Sequence, residues 1–183
     1  MLRSLLLFLH VASAMGIFVA LGIETAIVAQ VRGDQRNAGT VLSRYGLVQR
    51  VGAVSIIALL VTGIYLATAF WHWQGPWIGI GFLLVIVIAV IGATMSGRPV
   101  ARALRAQIDL AAPAGIGALG DSLAASLVLR AALLSGVVFL MTVKPTTSAM
   151  ALGVAAIAAL LGVASVPLVR RVKSSPNEQR SRV

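Results

Sequence analysis

Five apolar stretches, at residues 5–29, 51–71, 76–96, 122–143 and 146–169, divide this chain, and the short segments between them hold nearly all of its charge. Each stretch is about 20 residues or more, enough to cross a hydrocarbon core of ~30 Å as a helix. Inside hydrocarbon every backbone N–H and C=O needs an internal partner, and five such stretches meet that need as helices. With 59% hydrophobic and 11% charged residues, the chain has too little polar surface for a water-soluble globule. The expected fold is an all-α polytopic bundle of five transmembrane helices, one domain over residues 1–172, with a disordered basic tail at 173–183. No internal repeat is visible.

The chain has no cysteine, which excludes disulfides, thiolate metal sites and thioether-linked haem. A net charge of +10 is compatible with nucleic acid binding in principle, but these cations flank apolar runs, where a membrane topology bias puts them. Nucleic acid is therefore not an expected partner; the bilayer is, with some affinity for anionic lipid. Arg32, Arg36, Arg44 and Arg50 lie between the first two stretches and Arg98, Arg102 and Arg105 between the third and fourth. Arg170, Arg171, Lys173, Arg180 and Arg182 follow the fifth, whereas the opposite side has only Arg3 and Lys144. Five spans then place the N-terminus outside and the C-terminus in the cytoplasm of a bacterial inner membrane. A four-span alternative, with a re-entrant hairpin for the last two runs, puts the basic tail on the wrong side. Ala12-Ser13-Ala14 loosely imitates a signal-peptide cleavage site, but the apolar run continues to Ala29, so the first helix reads as a retained span.

The segment from Val31 to Arg50 reads as interfacial, re-entering helix around Thr40, Leu42, Tyr45 and Leu47-Val48. After Gly97, Val100, Leu104 and Ile108 recur every fourth residue while the arginines take other faces, as in a short amphipathic helix lying on the membrane. Pro113, Gly115, Gly117 and Gly120 should break it, and Asp121 or Ser122 should cap the fourth span. Small residues at Ala12, Gly16 and Ala20, at Gly75 and Gly79, and at Ala93 and Gly97 mark faces for close helix approach, either within the bundle or against another copy or another membrane protein.

Ionisable residues inside spans carry the sharpest functional signal, because each costs on the order of 2.5–3.5 kcal/mol near the bilayer centre. They are His10, Glu24 and Arg130. His10 and Glu24 share a helix face to within about 40° but lie roughly 21 Å apart along the axis, so they cannot act on one ligand. Glu24 and Arg130 fall at similar depth on the cytoplasmic side, and an ion pair between them would relieve two buried charges at once. The alternatives are a proton or substrate relay there, or an Arg130 that snorkels to the headgroups.

On the outer side, His10 and His72, with Met141 and Met150, bring imidazole and thioether donors into one leaflet, a set suited to copper; imidazole also serves haem iron. Trp71, Trp73 and Trp77 around Gly75-Pro76 fit equally well an interfacial aromatic belt at a tight turn, on which reading His72 is a polar loop residue and His10 a packing one.

Leu9-His10-Val11, Thr62-Gly63-Ile64-Tyr65-Leu66, Gly75-Pro76-Trp77 and Met141-Thr142-Val143-Lys144-Pro145 resemble a small bacterial integral-membrane family of unknown function, itself similar to the copper-resistance D membrane proteins. The resemblance covers roughly residues 5–145, with the fifth span an addition to a four-helix unit. It implies a helix bundle, and it makes His10 the position for a metal or haem b role. Neither a nucleotide-binding nor a hydrolase fingerprint occurs, so soluble-type catalysis is not expected. Three functions follow: a haem- or metal-binding bundle, a small transporter or permeability factor, or a structural or assembly subunit of a membrane complex.

Overall fold

The computed structural model describes residues 1–33, 38–106 and 113–171. Helix α1 (Leu2–Gly33) is followed by the short α2 (Ala38–Ser43) and by α3 (Tyr45–Leu66). Next come α4 (Pro76–Ile91), α5 (Arg98–Ala106), α6 (Pro113–Val143) and α7 (Ser148–Arg171). There is no strand among the described residues. Five continuous helical stretches are long and apolar enough to cross a membrane: Leu2–Gly33, Thr40–Trp71, Pro76–Arg105, Gly117–Val143 and Ser148–Val169. Their outward faces carry exposed large side chains such as Phe8, Val54, Ile57, Leu83 and Leu160, more apolar surface than water tolerates and what hydrocarbon requires.

Helix α1 packs along α3, and α6 along α7, while α4 lies against α6 and α7. Small residues set these approaches. A Cβ on Gly16 would run into the Ser55 side chain, and one on Gly52 would meet the Ala20 Cβ at 3.6 Å, so Gly16 and Ala20 of the small stripe in α1 do face α3. Ala12 is exposed and takes no part. The other two expected pairs are not packing pairs: Gly75 forms a turn with φ 124° and Gly79 faces open space, while Ala93 is exposed and only Gly97 is close-packed, against Gln49. The α6–α7 contact uses glycines that the sequence reading passed over. A Cβ on Gly136 would lie 2.7 Å from the Ala158 Cβ, and one on Gly162 2.7 Å from Leu129 Cδ1.

The helices are longer and less interrupted than the apolar runs predict. Helix α6 begins at Pro113 and passes through Gly115, Gly117 and Gly120 without a break, so Asp121 and Ser122 are interior residues and not caps. Their side chains make tertiary bonds instead: Asp121 with Arg32 at 3.1 Å, and the Ser122 hydroxyl to the Met95 carbonyl at 3.1 Å. Likewise α5 is not separated from α4 at Gly97 but continues it through a π-helical turn at Gly92–Gly97. Its faces sort as expected, with Val100 buried and Arg98, Arg102 and Arg105 exposed; Ile108 and the tail at 173–183 lie outside the described residues. A second π-helical turn, Ala67–Trp71, ends α3.

At one end α2, α5 and the start of α6 close over a core of Leu42, Tyr45, Val100 and Leu123. There Arg32 of α1 bonds both Asp121 of α6 and, at 2.8 Å, the Val169 carbonyl of α7. At the other end Trp71 and Trp77 stack edge-to-face with centroids 5.0 Å apart across the 72–75 turn. That turn needs Gly75, because a Cβ there would lie 2.6 Å from the Trp77 Nε1. Gly136→Leu, which overfills the α6–α7 contact, is expected to destabilise the bundle by about 1–3 kcal/mol. Gly22→Leu, into open space, should leave thermal unfolding in mild detergent unchanged, and equal melting of the two variants would refute this account of helix packing.

Candidate functional site

Two sites emerge from the residues that the sequence singled out, one in each half of the bundle. The first is polar and buried. Arg130 Nη2 donates to Glu24 Oε1 at 2.5 Å, joining α6 to α1, and Glu24 is only 4% exposed. The Tyr45 hydroxyl at the start of α3 donates to the same carboxylate oxygen. Arg130 Nη2 also reaches Ser96 Oγ at 3.3 Å, and its Nε reaches the carbonyl and hydroxyl of Ser126, one turn earlier, at 3.3 and 3.2 Å. Ser96 and Ser126 are themselves hydrogen-bonded at 2.9 Å. Four helices are tied through one pair of charges.

Local structure explains why these groups meet. The π turn at Gly92–Gly97 carries one extra residue per turn, and it brings Ser96 and Gly97 together onto the buried face. Gly92 leaves room for the arginine: a Cβ there would stand 3.4 Å from Arg130 Nη1. Among the described residues no buried side-chain nitrogen or oxygen lacks a partner. A cavity of about 240 Å³ borders the pair, walled mainly by apolar residues with Tyr45 and Gln49. Arg130 is thus held in the interior and does not snorkel. Of the network, sequence reasoning found Glu24 and Arg130; it took Tyr45 only as part of a re-entering helix and missed Ser96 and Ser126, because serines are common in membrane helices and carry no signal singly.

The second site surrounds His10. Thr62 Oγ1 has one proton, and its shortest acceptor is the Ala58 carbonyl at 2.6 Å. The hydroxyl therefore accepts from His10 Nδ1–H, at 3.0 Å. In that tautomer Nε2 carries the lone pair that a ligand or base requires. Gly63 makes the fit possible, since a Cβ there would lie 3.1 Å from His10 Cε1 and 3.2 Å from Phe82 Cζ. His10 lines a cavity of about 290 Å³ shared by α1, α3, α4 and α6, with Gly63, Trp77, Phe82 and Met141 in its wall. No residue is common to the walls of the two cavities.

The histidine–methionine set expected for copper is not assembled. His10 and Met141 share the cavity, but neither His72 nor Met150 lines it. His72 sits exposed in the turn with φ 47°, where a left-handed backbone reverses the chain after the π turn, and Met150 is 59% exposed on α7. Among the described residues no group of three or more His, Cys, Asp or Glu lies together. Four short stretches far apart in the sequence do converge, however. His10, Gly63, Leu66, Trp77, Met141 and Lys144 all line this one cavity.

No protein-family model matches the chain, and no curated protein or solved structure is significantly similar to it.

Removing one partner of a buried ion pair strands the other charge. Glu24→Gln is expected to cost about 3–5 kcal/mol of stability, read as earlier unfolding in a denaturing-detergent titration, whereas Glu24→Leu with Arg130→Leu should recover most of it. A single variant as stable as the wild type would show that the pair does not hold α1 to α6.

Proposed function

We propose that this chain is a multi-pass protein of a bacterial cytoplasmic membrane that binds a small cofactor or ligand in its His10 cavity, in the manner of the haem- or metal-binding bundles of copper-resistance D type. The observation that carries this reading is the convergence of four sequence-distant stretches on one apolar cavity that holds a histidine bonded through Nδ1 to Thr62. Mostly apolar cavities with a few convergent polar groups are where small molecules bind.

The donor chemistry distinguishes between the groups the resemblance implies. A bare copper ion needs several ligands around one point, and the cavity gathers only His10 and Met141 from the expected set, so its lining does not fit copper. A haem needs one imidazole and apolar walls, which His10 and the aromatic and aliphatic lining supply; its macrocycle is larger than the roughly 290 Å³ enclosed here, so the cavity would have to widen between the helices to seat it, and such a group when bound would bring one-electron chemistry. The protein's own part is to fix the His10 tautomer through Thr62, to hold the ring through Gly63 and Phe82, and to keep water from the apolar wall.

In this reading the His10 end faces outward and the arginine-rich end faces the cytoplasm. Arg3 and Lys144 lie at one end of the bundle while Arg32, Arg44 and Arg98 lie at the other, the asymmetry that the positive-inside bias produces. Because the chain has no cysteine, single cysteines report topology cleanly. A membrane-impermeant maleimide should label Thr146→Cys but not Arg44→Cys in intact cells, and the reverse pattern would invert the topology.

Purified protein should show a Soret band that His10→Ala abolishes while the Glu24–Arg130 tie keeps the variant folded. A spectrum without such a band, together with elemental analysis free of iron, from protein made in haem-replete cells would overturn cofactor binding by His10.

A further inference from the structure

The His10 cavity has a charged mouth that its coordination chemistry does not use. Lys144 and Arg3 both line the cavity and both are exposed. The Lys144 Nζ sits 4.4 Å from the centroid of the Trp71 ring and 5.9 Å from that of Trp77, and the Arg3 guanidinium carbon lies 5.4 Å from the Phe70 ring. Two cations are therefore fixed over the aromatic rim of an apolar cavity.

Neither cation has a carboxylate within ion-pair distance among the described residues. The chain has five acidic residues: Glu24 and Asp121 are engaged by Arg130 and Arg32, and Asp34, Asp109 and Glu178 fall outside the described residues, in the arginine-rich connecting and tail segments. The backbone also holds Lys144 in place at a cost. It terminates α6 with φ 51° while its N–H bonds the Leu140 carbonyl at 3.0 Å, a left-handed position that glycine normally fills. A lysine there accepts backbone strain, and its ammonium ends over the cavity's rim.

We infer that this cavity binds a single-chain anionic amphiphile, its apolar chain among the cavity walls and its carboxylate or phosphate head between Lys144 and Arg3. Apolar walls beneath a pair of unneutralised cations complement that class and no other charge type. The volume selects one chain: about 290 Å³ stands at the lower end of the roughly 300–1,000 Å³ of small-molecule sites, too little for the two acyl chains of a phospholipid. The inference rests on the reading of the His10 cavity as the functional site, and not on His10 binding iron.

Two of the chain's three tryptophans, Trp71 and Trp77, line the cavity, so intrinsic fluorescence reports occupancy. The full-length protein in nanodiscs of zwitterionic lipid is titrated with a bromine-tagged medium-chain carboxylate, and with the alcohol and trimethylammonium analogues of equal length. Saturable quenching is expected, with the carboxylate bound about tenfold more tightly than the alcohol, a charge-assisted contact's worth of affinity. Lys144→Gln should remove that preference while leaving the alcohol's affinity unchanged, which also shows that the variant is folded, and Lys144→Arg should retain it. Equal affinities for the three head groups, or a preference that survives Lys144→Gln together with Arg3→Gln, would overturn the inference. So would quenching by bromine-tagged phosphatidylglycerol that the carboxylate cannot displace, which would make the occupant a two-chain lipid. A Soret band lost in His10→Ala without any carboxylate preference keeps the cofactor reading and sinks this one. Carboxylate preference without a Soret band does the reverse.

Discussion

A carboxylate and a guanidinium enclosed among apolar helices are each expensive, and their contact at 2.5 Å is the constraint around which the inner half of this bundle is arranged. The pair alone does not exhaust the lone pairs and protons of its members. Tyr45, Ser96 and Ser126 supply the remaining partners, and that requirement fixes the register of α3, α4 and α6 against α1. Between helices immersed in lipid there is little hydrophobic drive to associate, so polar contacts and close small-residue packing carry the assembly. The ion pair and the Gly136–Ala158 and Gly162–Leu129 approaches are those two means in one molecule.

The two π turns connect this scaffold to its cavities. Gly92–Gly97 delivers Ser96 to the arginine beside the 240 Å³ cavity, and Ala67–Trp71 ends at the rim of the 290 Å³ cavity, where Phe70 and Trp71 meet the cations. An inserted residue in a helix costs regular hydrogen bonding and is kept where it re-aims side chains. Here each insertion borders a cavity. The polar half is fully satisfied and reads as structure, whereas at the His10 end Arg3 and Lys144 have no carboxylate within ion-pair distance among the described residues.

What was legible in the sequence follows from periodicity and cost. Glu24 and Arg130 stood out because charges within apolar runs are rare, and equal depth made them candidates for each other. His10 stood out as a lone imidazole in a span. Ser96, Ser126 and Thr62 did not, since a hydroxyl in a membrane helix acquires meaning only from what faces it across the bundle. The copper set is not gathered in the cavity, for the same reason in reverse: His72 lies exposed in the turn and Met150 exposed on α7, and neither lines the cavity with His10.

By itself the sequence determined the all-helical class, the five membrane-length helices and the sorting of charge between the two ends, because these depend on the hydropathy and charge of contiguous residues, which no tertiary contact can undo. Only the tertiary structure decided where the helices end, how α4 runs unbroken into α5, and which side chains share a cavity. Glycines at 115, 117 and 120 look like breakers in isolation, yet they sit inside α6, where the Arg32–Asp121 bond and the close approach of α1 at Gly120 hold the backbone helical. Contacts between residues dozens of positions apart, such as His10 with Thr62 or Glu24 with Arg130, arise from packing geometry, and a linear pattern does not encode packing geometry locally.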